Sequence, residues 1–446
     1  MAKLTALDVY KLLPKTNCGD CNLPTCMAFA MQVAAKKAGL ERCPHVSEEA
    51  QTALAEAAAP PMRTVTIGAG PNAIQIGGET VLFRHEDKFH RPTALAIRVK
   101  DSEEIESQVE QINNLKFIRV GKEVQVNLIA LQQTQDADTF VEAVKLAHSK
   151  TQLPLVLMSP DPAALQGALE TVSEGKPLLY TATQENYREL AELAKQFQAP
   201  LAVRAESLEE LAALTPEINQ LGVEELVLDP TIKDERDGLI KLTQIRRLTL
   251  EKTFRPLGYP VMSFVNTQDP YQQALQAVIY VCKYGLLVVM EGMERWQILP
   301  VLTARFNIFT DPQVPNAVEA KLYQVGEPTP ESPVIVTTNF ALTYFTVEGE
   351  VANSKVPAYI AVVDTGGLGV LNAYADDKLT GEKIAKAVKG YGIMEQVSHN
   401  KLIIPGLVAV LKGEVEDESG WEVVVGPEEA AGIPSFLKNE WKPGAN

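Results

Sequence analysis

Cys18, Cys21, Cys26 and Cys43 are spaced Cys-x2-Cys-x4-Cys-x16-Cys, and Pro44 follows the last of them. A pair two residues apart clasps one corner of a metal centre, a third thiolate comes from the next turn, and a fourth returns from a distance. Together they complete the ligand set of a cubane iron-sulfur cluster. Electron transfer is therefore the first functional class to consider. Zinc is the second reading, since it favours two short Cys-x2-Cys knuckles and only one is present. Disulfides rank below both. The opening MAKLTALDVYKLLPK lacks the apolar core of a secretory signal, which argues for a cytoplasmic chain with reduced thiols. Cys282, in VIYVCKYG, is expected to pack inertly in a core. The stretch from Thr25 to Gly39 has helical apolar spacing, which puts Cys26 at a helix start where exposed backbone N–H groups favour negative charge. Gly19 and Pro24 allow the turns that would gather the sulfurs.

Composition removes other classes. Against 57 acidic residues stand 41 basic ones, a net charge of -16, and a nucleic-acid binder needs the opposite balance. No apolar run approaches the ~20 residues that cross a bilayer, so no membrane span is expected. With 446 residues, 46% hydrophobic, the chain is long enough for two or three cores.

Two seams divide it. Residues 51–62, QTALAEAAAPPM, run from an alanine-rich helical stretch into a proline pair, and they predict a hinge that lets the cluster module move as a body. The second seam, residues 312–332, is proline-rich with few apolar anchors and reads as a surface connector. The expected organisation is a cluster module over 1–59, a linker and hairpin region over 60–92, a large unit over 93–311, a linker over 312–332 and a last domain over 333–446.

TVTIG, AIQIGG and TVLFR form the hairpin region. After it come eight short apolar runs: LAIRV, VQVNLIAL, PLVLMS, LLYTA, PLAVRA, ELVLDP, PVMSFV and LLVVME. Amphipathic helical segments separate them. Eight strand-helix units in about 220 residues predict a closed (β/α)8 TIM barrel. Function on such a barrel sits at the carboxyl ends of its strands, where Arg204, Asp229, Asn266 and Glu291 fall. These could bind a pterin or another polar substrate, or simply pair with one another.

The last domain alternates strand-like PVIVTTNF, AYIAVVD, KLIIPG and WEVVVGP with helical segments, as in a compact Rossmann-like α/β fold. Its strand ends carry Thr337 to Phe340, Asp364 to Val370, Pro405-Gly406 and Gly426-Pro427. TGGLGV lacks the spacing of a dinucleotide or phosphate loop. Several glycine-bearing strand ends in one small domain nonetheless point to a second cofactor.

The segment KLLPKTNCGDCNLPTC with Cys43-Pro44, followed by an eight-fold strand-helix unit and a short α/β domain, resembles the large (gamma) subunit of the corrinoid iron-sulfur protein of the reductive acetyl-CoA pathway. That resemblance implies a methyl carrier. Cys18, Cys21, Cys26 and Cys43 would hold a [4Fe-4S] cluster, and the last domain would bind a corrinoid (cobalamin). A smaller barrel subunit would complete a heterodimer. Methyl would pass from methyltetrahydrofolate, through a separate methyltransferase, to cobalt and on to acetyl-CoA synthase. The cluster would return oxidised Co(II) to Co(I). Two alternatives stay open: a pterin-dependent methyltransferase using its own barrel, and an iron-sulfur oxidoreductase with a nucleotide at TGGLGV.

None of the five histidines, His45, His85, His90, His148 and His399, stands in the Asp-x-His-x2-Gly pattern by which many corrinoid domains ligate cobalt. His399, the one in the last domain, is expected to be locally bonded or exposed. A corrin ring needs accessible backbone polar groups and apolar contact. The candidate contacts are therefore Thr338, Asn339, Phe340, Thr343, Thr365, Gly366, Gly367, Gly369, Val370, Pro405, Gly406, Gly432, Ile433 and Pro434.

Overall fold

The structure, a computed structural model, describes residues 5–34, 38, 42–47, 60–102 and 104–442. Residues 51–59 of the expected hinge and residues 35–37 and 39 of the expected cysteine helix lie outside the described residues. The chain forms two units, one of residues 1–117 and 125–309, the other of residues 118–124 and 310–446. Among the described residues no helix is long and apolar enough to cross a membrane.

In the first unit, helices Ala6–Leu12 and Cys26–Ala34 carry the cysteine segment. An antiparallel hairpin follows, β1 (Thr64–Ile67) and β2 (Ile74–Gly77). TVLFR, expected as a third strand there, is a loop. The barrel strands are β3 (Ala94–Lys100), β6 (Leu128–Gln132), β7 (Leu155–Met158), β8 (Leu178–Ala182), β9 (Leu201–Arg204), β10 (Leu226–Asp229), β11 (Met262–Phe264) and β12 (Leu287–Met290). All eight are parallel and neighbour one another in chain order, with β12 returning to β3. One parallel bridge, Leu228 to Val261, joins the remaining edges and brings the ring nearly closed.

A second hairpin, β4 (Lys116–Arg119) and β5 (Lys122–Gln125), interrupts the alternation. It splits the apolar run at 124–131, whose first residues end β5 while the barrel strand begins at Leu128. Asn127 marks the break: its Oδ1 accepts from the Leu95 N–H at 3.2 Å and from the Arg305 guanidinium. A hydrophobic run cannot show such a division, because both parts are apolar and extended.

Alternate strand residues such as Ala96, Ala130, Val156 and Val227 fill the barrel. Val65, Ile67 and Ile76 of the first hairpin join that core. The hairpin sits at the amino ends of the strands, where the Gly68 N–H donates to the Lys176 carbonyl at 2.9 Å. It is fastened by a buried pair, Arg246 to Glu79 at 3.4 Å, with Glu79 also accepting from the His90 and Arg91 N–H groups at 2.9 Å each. Replacing Glu79 with Gln leaves the Arg246 charge buried without a counterion. The expected cost is ~3–5 kcal/mol, seen as a lower denaturation midpoint of the full chain.

The second unit is built on a five-stranded sheet of β13 (Leu322–Val325), β14 (Val334–Thr338), β15 (Ala358–Val363), β16 (Lys401–Ile404) and β17 (Glu422–Val425). Its order is β13-β15-β14-β16-β17, parallel except for β13. β13 arises inside the proline-rich stretch read as a connector, because Leu322 to Val325 pair with the open edge of β15. Helices Ala341–Ser354 and Ile433–Asn439 cover one face, and Gly381–Gly390 and Lys412–Ser419 the other. The chain leaves β14 toward the first face and β16 toward the second. These strands are neighbours, so a crevice opens at their carboxyl ends.

Candidate functional site

The cysteine site is built from a loop that turns repeatedly through left-handed backbone. Asn17, Gly19 and Asn22 have φ of 53°, 85° and 60°, a region that glycine and asparagine enter most easily. Asn17 clamps the start of the helix Cys26–Ala34: its Oδ1 accepts from the Cys26 N–H at 2.8 Å, and its own N–H points at Cys26 Sγ at 3.4 Å. Thr25 caps the same helix by accepting from the Ala28 N–H at 3.1 Å.

Cys21, Cys26 and Cys43 are buried together among Val9, Leu13, Phe29 and Val46, whereas Cys18 is exposed. None is in a disulfide. Three thiols share one apolar cluster, with an N–H aimed at the sulfur of Cys26, and Cys18 lies outside that cluster with its sulfur within 4.8 Å of the Asp20 and His45 side chains; four thiols are the donor set of an iron-sulfur cluster. His45 Nε2 lies 2.6 Å from Asp20 Oδ2 and ties the loop of Cys18 and Cys21 to the segment of Cys43. The Asp20 carboxyl is held below its ordinary value, first by the His45 hydrogen bond and then by the Cys18 thiol. Sequence reasoning missed Asn17, although an asparagine beside a cysteine knuckle is a turn signal.

Cys282, expected in a core, instead ends the helix Pro270–Cys282 with its surface exposed. Desolvation pushes its thiol up from the ordinary value, which disfavours the reactive thiolate.

In the second unit the crevice beside β14 and β16 is a cavity of about 530 Å³, walled by Ala341–Ser354 and Ile433–Asn439. Its lining is mostly apolar, with Ile335, Val347, Leu407, Phe436 and Leu437 prominent. Of the expected contacts, Thr343, Gly369, Val370, Pro405 and Ile433 line it. Thr338, Asn339, Phe340, Thr365, Gly366, Gly367, Gly406, Gly432 and Pro434 do not line it. Thr338 lies on the opposite face of β14, Phe340 is half-buried at the start of Ala341–Ser354, and Pro434 sits in the first turn of Ile433–Asn439. Gly406 packs its backbone against Gly426, where a Cβ would meet the carbonyl oxygen at 2.6 Å, and Gly432 packs on Pro427.

Asn339, Thr365, Gly366 and Gly367 form a closed hydrogen-bonded turn. Asn339 Oδ1 accepts from the Thr365 and Gly367 N–H groups at 3.0 and 2.9 Å, its Nδ2 donates to Asp364 Oδ1 at 2.9 Å, and that oxygen also accepts from the Gly366 N–H at 3.0 Å. The loop's N–H groups therefore already have partners. Thr337, which sequence reasoning did not single out as a contact, is 1% exposed, lines the cavity and has no hydrogen-bond partner for its hydroxyl. An unsatisfied buried hydroxyl costs ~1–3 kcal/mol.

His399 donates or accepts locally, with Nε2 2.9 Å from the Ser332 carbonyl and Nδ1 accepting from the Lys401 N–H at 3.2 Å. It precedes β16, at the end of the sheet away from the cavity.

The barrel's carboxyl-end layer is polar and internally paired. Arg98 bonds Glu291, and the buried Asp229 accepts from the Tyr180 hydroxyl at 2.8 Å and the Thr231 N–H at 3.0 Å, with Arg204 at 3.8 Å. Burial pushes the Asp229 carboxyl up from its ordinary value despite these donors. Asn266 Nδ2 donates to the Ile232 carbonyl at 2.5 Å.

Comparison with known proteins gives one answer along the whole chain. The family described as CO dehydrogenase/acetyl-CoA synthase delta subunit matches residues 64–437, and an Fe-S cluster family matches residues 13–45. The corrinoid/iron-sulfur protein large subunit of Moorella thermoacetica is 49% identical over 98% of this chain and 98% of its own. Acetyl-CoA decarbonylase/synthase complex gamma subunits are 39% identical in Methanothermobacter thermautotrophicus, over 98% of both chains, and 37% identical in Methanopyrus kandleri, over 99% of this chain and 98% of that one. The delta-subunit match begins after the cysteine segment, whereas the large and gamma subunits match through it, and this decides between the two names. The chain belongs to the family of corrinoid/iron-sulfur protein large subunits and acetyl-CoA decarbonylase/synthase gamma subunits.

Proposed function

We propose that this chain is a methyl carrier, binding a [4Fe-4S] cluster through Cys18, Cys21, Cys26 and Cys43 and a corrinoid at its Rossmann-like C-terminal domain. When bound, the corrinoid supplies a cobalt that takes up and releases methyl, and the cluster supplies the low-potential electron that restores an oxidised cobalt. The observation that carries this is the apolar cavity at the crevice of the C-terminal sheet, in a chain that also gathers three buried cysteines and one exposed one.

The residues divide the work. Asn17 aims its N–H at Cys26 Sγ and holds the start of Cys26–Ala34 through its Oδ1, and the amino end of that helix favours a negatively charged cluster. The exposed Cys18 gives the cluster an edge on the surface, which suits electron entry. The turn set by Asn339 holds Gly369 and Val370 open at the cavity. His399 is bonded elsewhere, so no imidazole of this domain is offered to cobalt. A cobalt without that donor is easier to reduce.

The paired polar layer of the barrel supports delivery of methyl by a separate methyltransferase, because its charges already neutralise one another. The engaged N–H groups of residues 365–367 argue against nucleotide binding there. The partners on this reading are a smaller corrinoid-protein subunit forming a heterodimer, the methyltetrahydrofolate methyltransferase and acetyl-CoA synthase.

Reconstitution with iron, sulfide and cobalamin tests the proposal. The expected product carries about four irons per chain together with corrinoid absorption bands. After its cobalt is chemically reduced to Co(I), it should gain labelled methyl from methyltetrahydrofolate only when the methyltransferase is present. Methylation by the chain alone would transfer the role of donor site to its own barrel.

A further inference from the structure

Asp20 and His45 are not thiol ligands, yet both stand against one of the four cysteines. Gly19, at φ 85°, turns the chain between Cys18 and Asp20, and the Asn22 N–H closes that turn on the Gly19 carbonyl at 2.8 Å. His45 arrives from the far segment, two residues beyond Cys43. The Cys18 sulfur, an Asp20 carboxylate oxygen and a His45 ring nitrogen all lie within 4.8 Å of one another. These three residues are exposed, whereas Cys21, Cys26 and Cys43 are buried together. Cys18 thus belongs to two donor sets, an outer one of sulfur, oxygen and nitrogen and an inner one of thiols alone.

Thiolate, carboxylate and imidazole are the ligand types of borderline divalent cations. Bonds of ~2.0–2.3 Å put the donors of a tetrahedral site ~3.3–3.8 Å apart, and the half-exposed side chains of Asp20 and His45 reach that spacing by small rotations. Asp20 now accepts from His45 at 2.6 Å and from the Cys18 thiol. Hydrogen bonds therefore hold all three groups together where a cation can take over from protons.

We propose that Cys18, Asp20 and His45 form an entry site for iron(II), which is captured at the surface before the four thiols close the cluster. The inference deepens the reading that these cysteines hold a [4Fe-4S] centre, and it rests on that reading. On capture the Cys18 proton leaves to solvent and a sulfur–iron bond forms, while Asp20 gives an oxygen and neutral His45 the lone pair of a ring nitrogen. No electron is transferred. Because Cys18 is common to both sets, the ion keeps its bond to that sulfur as the inner thiols replace Asp20 and His45.

The test uses the full chain before reconstitution and two variants at exposed positions, Asp20→Asn and His45→Ala. Asparagine keeps an oxygen that accepts from His45 but is a poor cation ligand, which separates metal binding from a structural tie between the two segments. Free Co(II), standing in for iron(II), should bind the wild-type chain with a thiolate-to-metal absorption band and paramagnetically shifted imidazole proton signals. Both variants should lose affinity by more than about tenfold, since loss even of an outer-sphere partner costs about 10–100-fold. With iron(II) limiting and sulfide in excess, cluster absorption should appear about tenfold more slowly in both variants, in step with that affinity, and reach the wild-type iron content. Co(II) bound without imidazole signals, or with undiminished affinity in Asp20→Asn, overturns the site. Equal rates of cluster formation in all three chains overturn its role in iron entry. Slow formation in His45→Ala with Asp20→Asn at the wild-type rate overturns it too, since the pair would then be a structural tie alone. A wild-type chain that binds Co(II) as expected but gains no iron-sulfur absorption removes the cluster reading, and the entry role with it.

Discussion

Replacing Cys43 with Ala is expected to reduce the iron of the reconstituted chain from about four atoms to few or none, with corrinoid content unchanged. On the proposed reading Cys43 is the ligand that returns from a distance, and its segment is tied back to the Cys18 loop by the pair of His45 and Asp20. The remaining three thiols cannot complete a cubane, and an open corner exposes it to loss. Reductive recovery of oxidised cobalt should disappear, while the first methyl transfers from chemically pre-reduced protein persist. Iron assay, visible spectra and single-turnover methyl transfer measure these separately. Loss of the very first turnover with corrinoid in place would defeat the restorative role given to the cluster. Cys282→Ala, far from that set in sequence and with its thiol pushed up, should leave the iron content alone.

A Gly369→Leu variant should lose corrinoid affinity by about tenfold or more, since overpacking costs ~1–3 kcal/mol and each 1.4 kcal/mol is a factor of ten. Gly369 suits this better than Gly367. At Gly367 the backbone has φ of 77° and a Cβ would lie 2.7 Å from the Pro315 side chain, so any side chain there disturbs the turn itself. At Gly369 φ is -69° and the nearest atoms to a Cβ are Phe340 Cδ1 at 3.5 Å and Thr343 Oγ1 at 3.7 Å. Leucine is therefore accepted by the backbone and projects at the cavity lining. Iron content should stay at its wild-type level, and corrinoid absorbance after gel filtration is the readout. Unchanged corrinoid binding by this variant would take the ligand out of the cavity.

Sequence alone determined what is local or repetitive. Four cysteines at a ligand spacing need no tertiary knowledge to be read together, because short loops limit where their sulfurs can go. Eight apolar runs separated by amphipathic helices predicted the barrel for the same reason, since strand and helix periods are properties of neighbouring residues. The four strands PVIVTTNF to WEVVVGP were equally legible in the last domain.

Tertiary structure decided what lies between elements. A cavity is the space left when helices and a sheet fail to fill a crevice, and no single segment encodes it. Thr337 reads as one more β-branched strand residue until its face of the sheet and its missing partner are known. The role of Asn339 depends on N–H groups 26 and 28 positions away, and the pairing of Tyr180 with Asp229 spans 49 positions. The strand Leu322–Val325 exists because β15 offers it an edge. In each case the deciding interaction joins residues distant in sequence, so the local pattern around either one is silent about the other.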